Sequence, residues 1–217
     1  MKKFLFYIAG SVTTMSTQRG TWKMKKLSLL IFAMALLSTA TGCAWKHIPA
    51  APDYSYVKTI PYTVGIALSD NGDGTRLYVP KVVDSLKAMN VFKNIIFPYR
   101  HGDAVDAVLY MSIGAKGSEK VGRDFASGFF TLGLAGSENI FVYRTIALLK
   151  TPEGLAIASY NILTTTQFTF GQLADRSEVA AEANNVSCKK IAIELAIRLN
   201  NNIDRIKTSI QNDLLTH

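Results

Sequence analysis

Hydrophobic positions in the second half of the chain fall into two clear periods. From Cys188 onward, Ile191, Leu195, Leu199, Ile203, Ile206 and Ile210 recur at steps of three and four, which places them on one face of a helix. Asp175-Arg176-Ser177-Glu178 supplies an N-cap acceptor and a glutamate at capping-box spacing, so the helix is predicted to start at Asp175. It should run to about Ser209 through Asn200-Asn201-Asn202. Before it, Ile140 to Leu149 and Leu155 to Phe170 read as the two arms of a hairpin. Thr151-Pro152-Glu153-Gly154 joins them and suits a type I turn.

Upstream, alternation predicts strands near Tyr62 to Leu68, Phe92 to Phe97 and Ala104 to Ile113. Pro80 to Met89 is predicted as a short helix, with Pro80 in its first turn and Val82, Val83, Leu86 and Met89 on one face. Ser69 to Gly74 is a turn: Gly72 stands where a calcium loop needs an oxygen ligand, and no glutamate closes the loop. Gly114 to Asp124 is predicted as a loop. The order strand, helix, strand, strand, hairpin, helix implies an α+β single domain over residues 59–213. In it, a largely antiparallel sheet carries a short helix and a long C-terminal helix packed on one face.

The N-terminal region follows a different logic. Met24-Lys25-Lys26 precedes an apolar run from Leu27 to Leu37, and small residues then lead to Cys43, the pattern of an export signal. The run is shorter than the roughly 20 residues a spanning helix needs. Ala40-Thr41-Gly42-Cys43 resembles the lipobox of bacterial lipoproteins. That resemblance implies cleavage before Cys43, acyl chains on Cys43, and attachment to the membrane through that lipid. Residues 1–42 are then signal peptide, with translation starting at Met24, and residues 43–58 a lipidated tether that contains Pro49 and Pro52. Ala44 lacks the aspartate that retains many enterobacterial lipoproteins in the inner membrane. The resemblance therefore points to the inner leaflet of the outer membrane, facing the periplasm.

Charge changes meaning once the signal is removed. The formal net charge of +8 comes from 24 basic and 16 acidic residues. Six of the basic ones (Lys2, Lys3, Arg19, Lys23, Lys25 and Lys26) precede Cys43, which leaves 18 against 16 and a net +2. No nucleic-acid footprint remains. Of the two cysteines, lipidation takes Cys43, and Cys188 lies on the helical apolar stripe as a small buried hydrophobe.

Sites of chemistry are sparse. The three histidines, at positions 47, 101 and 217, have no metal-ligand spacing, and no cofactor motif occurs. Arg100-His101-Gly102-Asp103 with Asp106 is the densest polar cluster and reads as a surface turn. Ser187-Cys188-Lys189-Lys190 matches S-x-x-K but lies mid-helix, and no K-T-G triplet follows it. The expectation is a non-enzymatic module that binds a partner or ligand, another envelope protein among them. The alternative is a hydrolase built around His101 or Asp103. Over residues 60 to 210 the layout also resembles small Gram-negative envelope lipoproteins, which implies an accessory role in envelope assembly or transport.

One segment has no clear period. Phe125, Phe129, Phe130, Leu132 and Leu134 make residues 125–136 the most apolar stretch after Cys43. It reads either as an internal strand or short helix feeding the hairpin, or as a contact loop that meets the bilayer or a protein partner.

Overall fold

The computed structural model describes residues 46–55, 57–119, 137–171 and 174–216. Strands β1 (Lys46–His47), β2 (Ile60–Leu68), β3 (Phe92–Ile96), β4 (Ala107–Glu119), β5 (Ser137–Lys150) and β6 (Ala156–Phe170) form one sheet in the order β1-β6-β5-β4-β2-β3. Helix α1 (Asp73–Ala88) connects β2 to β3, and α2 (Arg176–Asn201) and α3 (Ile203–Thr216) follow β6. The pairings of β1 with β6, β6 with β5 and β5 with β4 are antiparallel, while β2 is parallel to both β3 and β4. The α+β single-domain expectation holds, with a mixed sheet.

Alternation decides which face is covered. In β6 the residues Tyr160, Ile162, Thr164, Thr166 and Phe168 are buried, and every residue between them is exposed. The buried set continues through Tyr143, Ala147 and Leu149 of β5, Leu109, Met111 and Ile113 of β4, and Val64 and Ile66 of β2. Against it pack Val79, Val82, Val83 and Leu86 of α1, Ile191, Leu195 and Leu199 of α2, and Ile206 and Ile210 of α3. The apolar stripe of the C-terminal region therefore seals the sheet, as its spacing predicts.

Several boundaries differ from expectation. Helix α1 begins seven residues before Pro80, so Pro80 stands inside it. A proline there removes one ladder bond to the carbonyl of Arg76, and Arg76 is an exposed residue. The gain is burial of Thr75 and Val79. Strand β4 runs through Gly114 to Glu119, where a loop was expected, because β5 pairs with it as far as Asn139↔Glu119. The expected single C-terminal helix is broken at Asn202 (φ −110°, ψ 15°) and resumes as α3.

Residues 46–58 are not a free tether either. Lys46 pairs with Phe170, Lys189 sits 5.3 Å over the Tyr54 ring, and Asn200 brackets Lys58 by accepting from its N–H (3.1 Å) and donating to its carbonyl (3.0 Å). The segment is strapped along α2.

Two turns meet their predicted chemistry. Gly154 has φ +99° and donates to the Thr151 carbonyl at 3.0 Å, while Thr151 donates to the Leu155 carbonyl at 2.8 Å. Asp175 caps α2 by accepting from the N–H groups of Ser177 (2.8 Å) and Glu178 (3.3 Å).

Leu195 is fully buried at the centre of this packing. Its truncation to alanine should cost about 2–5 kcal/mol, the range for a leucine removed from a closed core. A urea denaturation midpoint that moves accordingly is the expected result, and an unchanged curve would contradict core packing.

Candidate functional site

The lipobox Ala40, Thr41, Gly42 and Cys43, and the contact segment with Phe125, Phe129, Phe130, Leu132 and Leu134, lie outside the described residues. The chain on either side of them is described. Lys46 opens β1 opposite Phe170, and Phe170 in turn lies opposite Ser137, the first residue of β5. Two positions along β5, Asn139 faces Glu119, the last residue of β4. The described chain nearest Cys43 and both ends of the 120–136 connection thus converge on one end of the sheet. Two residues, Ala44 and Trp45, separate Cys43 from Lys46, a reach of about 10 Å at full extension.

That end is held by charge and by rings. The Lys46 ammonium lies 2.9 Å from Glu178 Oε1 and 2.6 Å from Glu182 Oε2. Hydrogen bonds to Glu182 and Glu178 raise its pKa to about 12. The capping-box glutamate Glu178 therefore pins the first described residue of the chain to the start of α2. Beneath it, Phe168, Phe170, Val179 and Ala183 form a small apolar cluster of their own. Phe141 and Phe168 are 5.0 Å apart, and the Arg176 guanidinium stands 5.9 Å over Phe170.

A second feature lies at the carboxyl ends of the parallel strands. After β2 the chain enters α1 and returns to β3 on one side, whereas β4 flanks β2 on the other. This is the switch point at which open sheets form a crevice. The crevice is an open cleft of about 600 Å³ lined by residues that include Asp70, Asp73, Thr75, Tyr78 and Ser112. Hydrogen bonds from the Ser112 and Thr75 side chains and from the Gly72 N–H hold the Asp70 carboxyl below the usual carboxylate range. Gly74 is required here, since a Cβ would stand 2.5 Å from the Ile113 carbonyl oxygen. The first turn of α1 is thereby pressed onto β4, and Thr75 Oγ1 accepts from the Ile113 N–H at 3.0 Å. The sequence marks this place only as a turn, because the parallel pairing that makes it a crevice is a long-range event.

Most of the remaining polar candidates are engaged by neighbouring main chain or side chains. Asp103 accepts from the Arg100 N–H at 2.7 Å, closing a turn in which Gly102 has φ +100°. Asp106 accepts from the Thr63 N–H at 2.7 Å and so clips the following loop to β2. His101 is exposed on that turn. In the S-x-x-K match, Ser187 is buried, donates to the Ala183 carbonyl at 2.7 Å and lies 2.8 Å from Thr166 Oγ1. Cys188 is buried beside it, and burial pushes its thiol up to about 11. It packs as a hydrophobe. Tyr143, also buried, donates to Asn184, and burial raises its pKa too.

No protein-family model and no curated protein matches the chain. Solved structures to which it is similar include a minor lipoprotein from Acinetobacter baumannii (11% identity, 64% of this chain and 93% of that one, TM-score 0.43). Others are protein XCC0632 from Xanthomonas campestris (10%, 76% and 96%, TM-score 0.42) and rare lipoprotein B from Shewanella oneidensis (15%, 70% and 98%, TM-score 0.31). Similarity this slight carries no functional argument, which rests on the chain's own residues.

The Asp70 hydrogen bonds give the cleft a pH signature. A carboxyl whose folded pKa is depressed adds stability that is complete above its unfolded value and is lost as pH falls through the folded value. Asp70→Ala should therefore lower the melting temperature slightly at pH 7. The gap to the parent should close in acid, below the unfolded carboxylate value. A constant gap down to pH 2 would contradict it.

Proposed function

We propose that this chain is a lipid-anchored lipoprotein of the cell envelope. It is held by acyl groups on Cys43 at the inner leaflet of the outer membrane and serves as a non-enzymatic binding module in envelope assembly or transport. The observation that supports the reading is the convergence at one end of the sheet. Lys46, three residues after Cys43, stands in register with Phe170 and Ser137, next to the Asn139↔Glu119 pair from which the apolar 120–136 connection departs. Phe125, Phe129, Phe130, Leu132 and Leu134 would then act as a contact loop beside the lipid, where burying their apolar surface costs no partner of its own.

Two acyl chains make such attachment stable, because each buried CH2 contributes about 0.8 kcal/mol. The described chain needs no spanning helix for this: among the described residues no helix is long and apolar enough to cross a membrane. The polar groups assigned to a hydrolase alternative, His101 and Asp103, belong to an exposed turn whose carboxylate is already engaged by main chain.

Membrane fractionation and mass spectrometry test the proposal. The parent chain should sediment with membranes and carry acyl mass on an N-terminal Cys43. Cys43→Ala should lose both the lipid and the cleavage before residue 43, and a parent protein found in the soluble pool would overturn the anchor. Phe130→Asp should leave the melting temperature unchanged while weakening membrane or partner retention, whereas unfolding would assign that segment to the core.

A further inference from the structure

We infer that residues 46–58 form a releasable strap, which lifts from the outer face of α2 while the sheet and its helical layer stay folded. The first observation is where the strap sits. Its partners on α2 are Glu178 and Glu182 for Lys46, Lys189 for Tyr54 and Asn200 for Lys58. Counted with Ile193, these positions recur at steps of four and seven, so they share one side of the helix. Ile193 lies two residues from Ile191 and two from Leu195, about 200° round from each, and therefore faces away from the sheet. It is nonetheless 1% exposed and belongs to neither apolar cluster. The strap is what covers it.

The second observation is how the strap is held. Among its described residues none is buried, whereas β2 opens on Ile60, which has no exposed surface. The ion pairs of Lys46 join side chains that are 38%, 69% and 47% exposed, and pairs so placed contribute little. Only Lys46 and His47 join the sheet ladder, and Pro49 and Pro52 have no N–H to extend it. At the other end, a crevice of about 260 Å³ is lined by Val57 and Lys58 of the strap and by Ile197, Asn200 and Ile203 of the helices. An unfilled seam leaves its lining short of dispersion partners. Segments held in this way open at a lower free energy than the whole domain.

The consequence for the anchor rests on acylation of Cys43, whereas the lifting itself does not. Docked, the strap leaves Cys43 about 10 Å of chain, and lifted as far as Ile60 it leaves about 56 Å at full extension. One anchored molecule then has a short leash and a long one.

Thiol labelling of the full chain under native conditions tests this, with a water-soluble maleimide as the probe. Ile193→Cys places a thiol beneath the strap, and the buried Cys188 of the same helix, packed in the core, reports any wider opening. Trypsin separates the two positions, since Lys189 and Lys190 lie between them. Mass spectrometry of the two peptides should show residue 193 labelled at least about tenfold faster than Cys188. Tyr54→Ala and Asn200→Ala should each speed labelling of residue 193 further and leave Cys188 unchanged. Equal rates at both thiols, equal acceleration of both by those variants, or no acceleration of residue 193 would overturn the inference. Acyl mass on Cys43 is read from the same digest, so a failed anchor and a failed strap are told apart.

Discussion

Strand β6 is about 50 Å long and α2 about 39 Å, from their 15 and 26 residues at the usual rises. One face of the strand has to be buried along its whole length, and the helix above it is too short for the task. The break at Asn202 answers this mismatch. Beyond it, α3 carries Ile206 and Ile210 onward into the same core. The separate aromatic cluster at the other end, around Phe168 and Phe170, shows the same strand reaching the start of α2 as well. The helical layer thus follows β6 from the aromatic cluster at the start of α2 to the core residues of α3.

What local sequence signals could convey was legible. Asp175 caps the helix it was expected to cap, Gly154 takes the positive φ that its turn requires, and the stripe from Cys188 to Ile210 faces the core. Each depends on residues within a few positions of one another. Pro80 misled because a proline is common in a first helical turn, yet here the burial of Thr75 and Val79 outweighs one lost ladder bond. Gly114 misled for the same reason: β5 supplies a partner for β4 that composition around Gly114 does not announce.

The parallel pairings were not legible at all. Nothing within β2 or β4 records that Val64 will lie beside Ala107 and also beside Ile95. For that reason the cleft at Asp70 and Ser112 emerges only from the fold. The reverse holds at Arg100 to Asp106, where a dense polar cluster in sequence resolves into main-chain hydrogen bonds. Gly65 belongs with these long-range effects, since a Cβ there would overlap the Tyr99 ring that the following loop lays across the sheet.

The strap along α2 bears on how far the molecule can extend from a surface. A chain acylated at Cys43 has a leash of two residues before Lys46, which is ion-paired to Glu178 and Glu182. Such a leash, with the strap docked, keeps that end of the sheet within about 10 Å of the acylated residue. The sheet then sets the reach: the turn at Thr151 to Gly154, at the opposite end of the hairpin from Ser137 and Phe170, lies about 50 Å along β6 from the leash. Anything it meets there would be met within that radius of the anchored end.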